Sequence, residues 1–356
     1  MEHRDRALLG AIGLATVTAT ALGFAGIPKA DAQAPKAEPQ QAQPARAPTA
    51  GPRIDLATLK AQVILSKLGF SSGLLDGKNS AAFKGAIRGF QESRGLGTTG
   101  RLDGPTLAAL KRYDAAEPTK TITLAPQMIA GPFINPTPKD YADQSKLPGL
   151  YYRSPLEKLA EMFHTSPEVL VALNSRETPL KAGQQIVVPN ALPSSRAYDI
   201  DDATWKQTVA YLNVDAQQSR ADHVVVDESE GVLKVMDEQD RVIAQFPATM
   251  GSAQFPLPIG EWTIKGSAYN PDWKFQPELI AGSKPGAKEA VVPPGPNNPV
   301  GVVWMDLSKP HYGIHGTPEP QNIGKTESNG CIRLTNWDAA RLALMVKPGT
   351  KALFRK

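Results

Sequence analysis

The single cysteine of the chain lies in Thr326-Glu-Ser-Asn-Gly-Cys331-Ile-Arg-Leu-Thr335, sixteen residues after His315 in His311-Tyr-Gly-Ile-His315-Gly-Thr317. The thiol follows a glycine, precedes a β-branched residue and sits just ahead of a helix start, with histidine close upstream. That is the setting of a cysteine nucleophile paired with an imidazole base, and it predicts an enzyme with a covalent intermediate. A thiol near its free pKa of ~8.5 is mostly protonated at neutral pH, so the imidazole is needed to raise the thiolate fraction.

The neighbours of Cys331 extend this reading. In a glycine-containing turn its own N–H and that of Gly330 can point together at a developing oxyanion, and a side chain at position 330 would block that approach. Arg333 shares the side of Cys331 if the chain is extended there. It then either binds a substrate carboxylate bidentately or forms a salt bridge that shapes the turn. Tyr312, Asn322, Ser328 and Asn329 are further candidates to line a substrate pocket. Two histidines compete as the base, because His311 and His315 are four residues apart and would share one face of a strand.

Composition narrows the rest. With 39 basic and 35 acidic residues the net charge of +4 is too weak and too dispersed to argue for nucleic acid. One cysteine and five scattered histidines make a zinc site implausible, so neither metal nor cofactor is expected. Residues 1–32 read as an export signal, with Arg4 and Arg6 ahead of an uncharged run from Ala7 to Ile27 and small residues at Ala30 and Ala32 for cleavage. If it stays uncleaved, that run is the one membrane contact expected. An exported chain with one cysteine makes no internal disulfide, and a lone thiol in an oxidising compartment is a liability unless it has a use. Residues 33–53, built from Pro, Ala and Gln, are expected to be a disordered tether.

Residues 54–114 carry three helical patterns: Leu56, Leu59, Val63, Ile64 and Leu68 before Gly69; Phe83, Ile87 and Phe90 before Gly95; Leu107 and Leu110 after Gly104-Pro105. The run from Leu68 to Gly77, with Phe90-Gln91, Gly95-Leu96, Thr99-Gly100 and Leu102-Asp103, resembles the three-helix peptidoglycan-binding domain. Residues 115–148 are proline-rich and read as a linker. Over residues 149–190, Ser154-Pro-Leu-Glu157 is a capping box, Ser166-Pro-Glu168 opens a second helix, and Ile186-Val-Val-Pro189 is strand-like. Helix, turn, helix, strand resembles a LysM carbohydrate-binding module, with its early strand expected at Gly149 to Arg153. Residues 191–222 are read as a connector.

From His223 the pattern becomes strands: His223 to Asp227, Val232 to Asp237, Arg241 to Thr249, Gly260 to Ile264 and Val300 to Met305. Tyr269 to Pro299 reads as a substrate-flanking loop, and Thr335-Asn-Trp-Asp338 caps one amphipathic helix before a last strand ending at Phe354. Residues 223–356, with Pro258-Ile-Gly260, the His311 to Thr317 segment and Ser328-Asn-Gly-Cys331, resemble the catalytic domain of the L,D-transpeptidases (the YkuD-like family). Asn329 departs from the commonest pattern, which has histidine there. The expected fold class is therefore multidomain α+β: a small three-helix bundle, a LysM-like α/β module and a mostly β catalytic domain with one capped helix near the C-terminus.

The resemblance implies roles. Cys331 is the nucleophile, His315 rather than His311 the proton donor and acceptor, and the Gly316 carbonyl orients the imidazole. From the local chemistry instead, Gly330 is expected to supply an oxyanion N–H, and Arg333, Ser328, Asn329 and Tyr312 to contact substrate. The implied reaction releases D-alanine from a stem tetrapeptide and passes the acyl group to an amine of a second stem. The implied partners are peptidoglycan stem peptides and glycan strands, in the periplasm or cell wall. A hydrolase using the same thioester (L,D-carboxypeptidase or endopeptidase) and a non-catalytic wall-binding scaffold are the alternatives.

Overall fold

A computed structural model describes residues 53–280 and 282–356; the expected export signal and nearly all of the tether lie outside the described residues. The first helices are α1 (Leu56–Lys67), α2 (Ala81–Ser93) and α3 (Gly104–Leu110), each opened by a side-chain oxygen from Asp55, Ser80 or Asp103 that accepts first-turn N–H groups. Gly69 ends α1 at φ +103°, a conformation that disfavours any side chain. Of the apolar positions predicted from spacing, Leu56 and Leu107 are exposed, Leu59 and Val63 enter one buried cluster, and Ile64, Phe83, Ile87, Phe90 and Leu110 meet with Leu65 in another.

That cluster does not close on itself. It includes Val225, Met236 and Val242 from the sheet described below. Ser71 N and Gln245 O pair at 2.9 Å, as do Gln245 N and Gly69 O. Lys234, 3% exposed, bonds Glu92 of α2 at 2.8 Å and Glu230 at 3.0 Å. The three-helix unit is thus seated on the sheet through a shared core.

The second unit departs from expectation at its start. The strand that pairs antiparallel with β2 (Gln185–Pro189) is β1 (Thr119–Thr123), not Gly149 to Arg153. Four of the five residues from Thr119 to Thr123 are β-branched, which suits a pleated strand. The segment around Leu150 is instead bonded elsewhere, Leu150 N to Pro294 O at 2.8 Å and Asn297 N to Leu150 O at 2.9 Å. Short helices α4 (Pro126–Ile129) and α5 (Tyr141–Gln144) occupy the stretch read as linker. Then come α6 (Pro155–Met162) and α7 (Pro167–Leu173). Ser154 caps α6 as predicted, but Glu157 reaches Arg153 rather than completing the capping box.

The connector, too, is built in. Within it α8 (Ala203–Tyr211) is capped by Asp202, and Trp205, Val209 and Leu212, at helical spacing, enter the main core with Tyr198 and Val214. The remaining strands are β3 (His223–Asp227), β4 (Val232–Met236), β5 (Val242–Pro247), β6 (Thr249–Met250), β7 (Gly260–Tyr269), β8 (Trp273–Phe275), β9 (Ala290–Val292), β10 (Val303–Leu307), β11 (Gly313–His315), β12 (Ile332–Arg333) and β13 (Lys351–Arg355). Nine of them order as β5-β4-β3-β13-β7-β10-β11-β12-β6, with β13–β3 and β11–β12 parallel. Only Ala248 separates β5 from β6, so the two edges meet and the sheet curls back on itself. Helix α9 (Asn336–Met345), capped by Thr335 Oγ1 accepting from Asp338 N at 3.1 Å, packs its Trp337, Leu342 and Met345 into the core. Strands β8 and β9 pair as a hairpin inside the stretch predicted to be a loop.

Candidate active site

Three neighbouring strands set the site. In β10 the side chains alternate, so Trp304 lies opposite His315 and Asp306 opposite Gly313. Strand β11 then runs parallel to β12, with His315 beside Arg333. Cys331 comes one residue before β12, and Leu334 N returns to His315 O at 2.8 Å. Cys331, His315, His311, Asn329, Arg333 and Trp304 line one pocket of about 240 Å³. Residues twenty apart in sequence are thereby brought to a single cleft.

His315 is 4% exposed, and its ring stacks on Trp304 at 5.2 Å and 18°. Nδ1 lies 2.7 Å from the Gly316 carbonyl oxygen. A carbonyl can only accept, so Nδ1 carries the proton and Nε2 is left as the basic nitrogen. Burial lowers the His315 pKa to about 3, the nearby Arg333 charge adds to this, and the Gly316 bond opposes it. Burial raises the Cys331 thiol, against the Gly313 N–H and the Arg333 charge. Each shift favours the neutral form of its own group, because desolvation penalises the charged one.

His311 is placed differently. It is exposed, precedes β11 and has φ +66°, so it does not share a strand face with His315. Its carbonyl accepts from Cys331 Sγ at 3.8 Å, a long thiol contact.

Gly330 has φ +93°, and an added Cβ would come within 2.6 Å of the Tyr312 ring. The glycine is required by backbone conformation and by that ring, a different reason from access of substrate. Tyr312 and Ser328 do not line the pocket. Ser328 is buried and donates to Cys331 O at 2.6 Å, so its hydroxyl holds the turn and is turned away from substrate. Arg333 faces the pocket and donates to Glu327 O at 3.3 Å. Asn322 bonds Glu319 and lies outside the lining. Among the described residues no cluster of three or more His, Cys, Asp or Glu could hold a metal ion.

Sequence reasoning missed part of the wall. Trp304, inside the predicted strand Val300 to Met305, stacks on His315 and lines the pocket, and the alternation of β10 was the available signal. Tyr141, from the presumed linker, lines the same pocket and packs on Trp273 at 5.0 Å and Phe275 at 4.6 Å. No local pattern announces that contact.

Residues 221–353 match the family model of the L,D-transpeptidase catalytic domain, and residues 57–110 match a "Putative peptidoglycan binding domain". The chain is 30% identical over 202 residues to the "Putative L,D-transpeptidase YkuD" of Bacillus subtilis, covering 56% of this chain and 93% of that one. Its counterpart in Bacillus licheniformis is 29% identical, with 55% and 90% covered. A solved L,D-transpeptidase from Mycobacterium smegmatis is similar at 23% identity and a TM-score of 0.30, over 37% of this chain and 58% of that one. With the Bacillus subtilis relative covered almost end to end, the chain belongs to the L,D-transpeptidase family and is a cysteine-dependent acyltransferase.

Proposed function

We propose that this enzyme cross-links peptidoglycan through a thioester on Cys331, with His315 as acid and base. The observation that carries the reading is the buried imidazole whose Nδ1 is tied to Gly316 O, sharing a pocket with the only thiol. Nε2 of His315 takes the Sγ proton as sulfur attacks the carbonyl between the third stem residue and its terminal D-alanine. The N–H groups of Gly330 and Cys331 stabilise the oxyanion. D-Alanine leaves as the amine, protonated by His315, and the acyl group stays on sulfur. An amine of a second stem then attacks the thioester, gives its proton to His315, and the thiol is regenerated. Arg333 is suited to a stem carboxylate, and Asn329 to hydrogen bonding along the cleft.

The helical units fit the same substrate. The match of residues 57–110 to a peptidoglycan-binding family supports wall binding by α1 to α3. The order strand, helices, strand across residues 119–189 supports a LysM-like unit, with residues 124–153 as an insertion that carries Tyr141 to the cleft. An extracellular or periplasmic site of action follows from the substrate, and an export signal at residues 1–32 would deliver the chain there.

Mass spectrometry of products from residues 33–356 with disaccharide-tetrapeptide tests the reaction, beside Cys331→Ala. A dimer lighter by one D-alanine, absent with Cys331→Ala, is expected. Tripeptide alone would replace transfer by hydrolysis, and turnover by Cys331→Ala would remove the nucleophile assignment.

A further inference from the structure

The second helical unit places a carboxyl deep against the catalytic histidine's support. Glu161 of α6 is 7% exposed and accepts from Asn336 Nδ2 at 2.6 Å. Asn336 is fully buried at the first position of α9. Its carboxamide oxygen accepts from Val302 N at 3.2 Å. The same oxygen occupies the space that side chains on Gly301 and Gly316 would fill. Gly301 stands at φ +65°, so the backbone there also requires glycine. One step further, the Gly316 carbonyl holds His315 Nδ1.

A buried carboxyl is costly unless its hydrogen bonds are made, so its placement here asks for a reason. Asn336 Nδ2 has a second acceptor, Pro296 O at 3.1 Å, and would remain partly satisfied without Glu161. What Glu161 adds is orientation: with both acceptors in place the carboxamide cannot turn, and its oxygen stays on the two glycine peptides.

We propose that Glu161 is a positioning residue for His315, acting through Asn336 and the Gly316 carbonyl, so that the second helical unit completes the active site. The inference rests on His315 being the acid and base.

The test uses the full chain with disaccharide-tetrapeptide, reading kcat, KM and melting temperature. Glu161→Leu should lower kcat about tenfold while KM stays within about twofold, because a misplaced imidazole slows chemistry and not binding. Glu161→Gln keeps an acceptor at the same place and should hold kcat within about twofold of wild type. Asn336→Ala should lose as much as Glu161→Leu or more, and the double variant should lose no more than Asn336→Ala alone, the mark of one shared path. Unchanged kcat in Glu161→Leu overturns the inference. So do additive losses in the double variant, equal losses in Leu and Gln, or losses that only follow the unfolded fraction. His315→Ala separates the two levels. If it is dead while Glu161→Leu is fully active, only the role of Glu161 falls. If it turns over normally, the role of His315 falls and the inference with it.

Discussion

The two helical units meet the catalytic sheet in different ways. The first shares an apolar core with β3 to β5, through Phe70, Phe83 and Phe90 against Val225, Met236 and Val242. It touches α9 at Asp338, where Ser71 Oγ donates at 2.8 Å, and at Arg341, which donates to Ser66 O at 2.6 Å. The second unit meets the first two residues of α9, with Glu161 on Asn336 and His164 stacked on Trp337 at 5.0 Å and 9°. The segment between β1 and α6 adds Tyr141 to the cleft. The first seam adds a shared apolar core to its polar contacts, whereas the second is polar and aromatic. By the roles proposed above for Glu161 and Tyr141, one seam serves the fold and the other the chemistry.

The comparison needs a zero for turnover, and the largest expected effect supplies it. His315→Ala should lower kcat about 10³-fold while His311→Ala stays within about twofold, the range a positioned acid–base group supplies. Steady-state D-alanine release measures both. Alkylation of Cys331 by iodoacetamide should rise only on the alkaline side of an ordinary thiol, because burial raises its pKa. With the His315 pKa at about 3, the rate should show no inflection near pH 6.5.

Next in size is a break in the first seam. Phe90→Ala should destabilise the chain by about 3–5 kcal/mol, the usual result of emptying a fully buried aromatic site. Chemical denaturation gives the value, and kcat per folded molecule should not change. A fall in kcat at full folding would erase the distinction between the two seams.

Tyr141→Ala probes the insertion. Loss of its packing on Trp273 and Phe275 should raise KM roughly fivefold, about 1 kcal/mol, with kcat nearly constant. Stem-peptide saturation curves decide it, and an unchanged KM would make Tyr141 a bystander in the cleft.

A further effect is in pH dependence. Burial raises the Glu161 carboxyl from 4.5 to about 7, against its bonds to Asn336 and Tyr152, with Glu157 adding to the rise. The folded chain therefore holds a proton that the unfolded chain releases between those values. Stability contributed by this group is present below pH 4.5 and is lost as pH rises toward 7. Glu161→Gln should remove that loss, so its stability relative to wild type should grow from pH 5 to pH 7. A constant difference across the range would mean that Glu161 is ionised in the folded chain.

Legibility in the sequence followed contiguity. Cys331, Gly330, Arg333 and His315 stand in two short motifs, and the thiol, the histidine and their strands could be read from them. The capped helices at Ser154, Ser166 and Thr335 were also readable, because a cap and its first turn lie within four residues. Strand β1 was missed because its partner is some sixty residues away and the intervening prolines suggested a linker. The connector was misjudged although Trp205, Val209 and Leu212 carried helical spacing, since the pattern tells that a face is buried and not what buries it.

The sequence by itself determined the chemistry class, the nucleophile's candidacy and most helix boundaries, because these depend on residue type and near neighbours. Only the tertiary structure decided that burial lowers the His315 pKa and raises that of Cys331, that the glycine before Cys331 is demanded by Tyr312, and that Tyr141 of another unit lines the pocket. Burial sets a pKa through everything that surrounds a group, and contacts across more than a hundred residues leave no periodic trace in the chain.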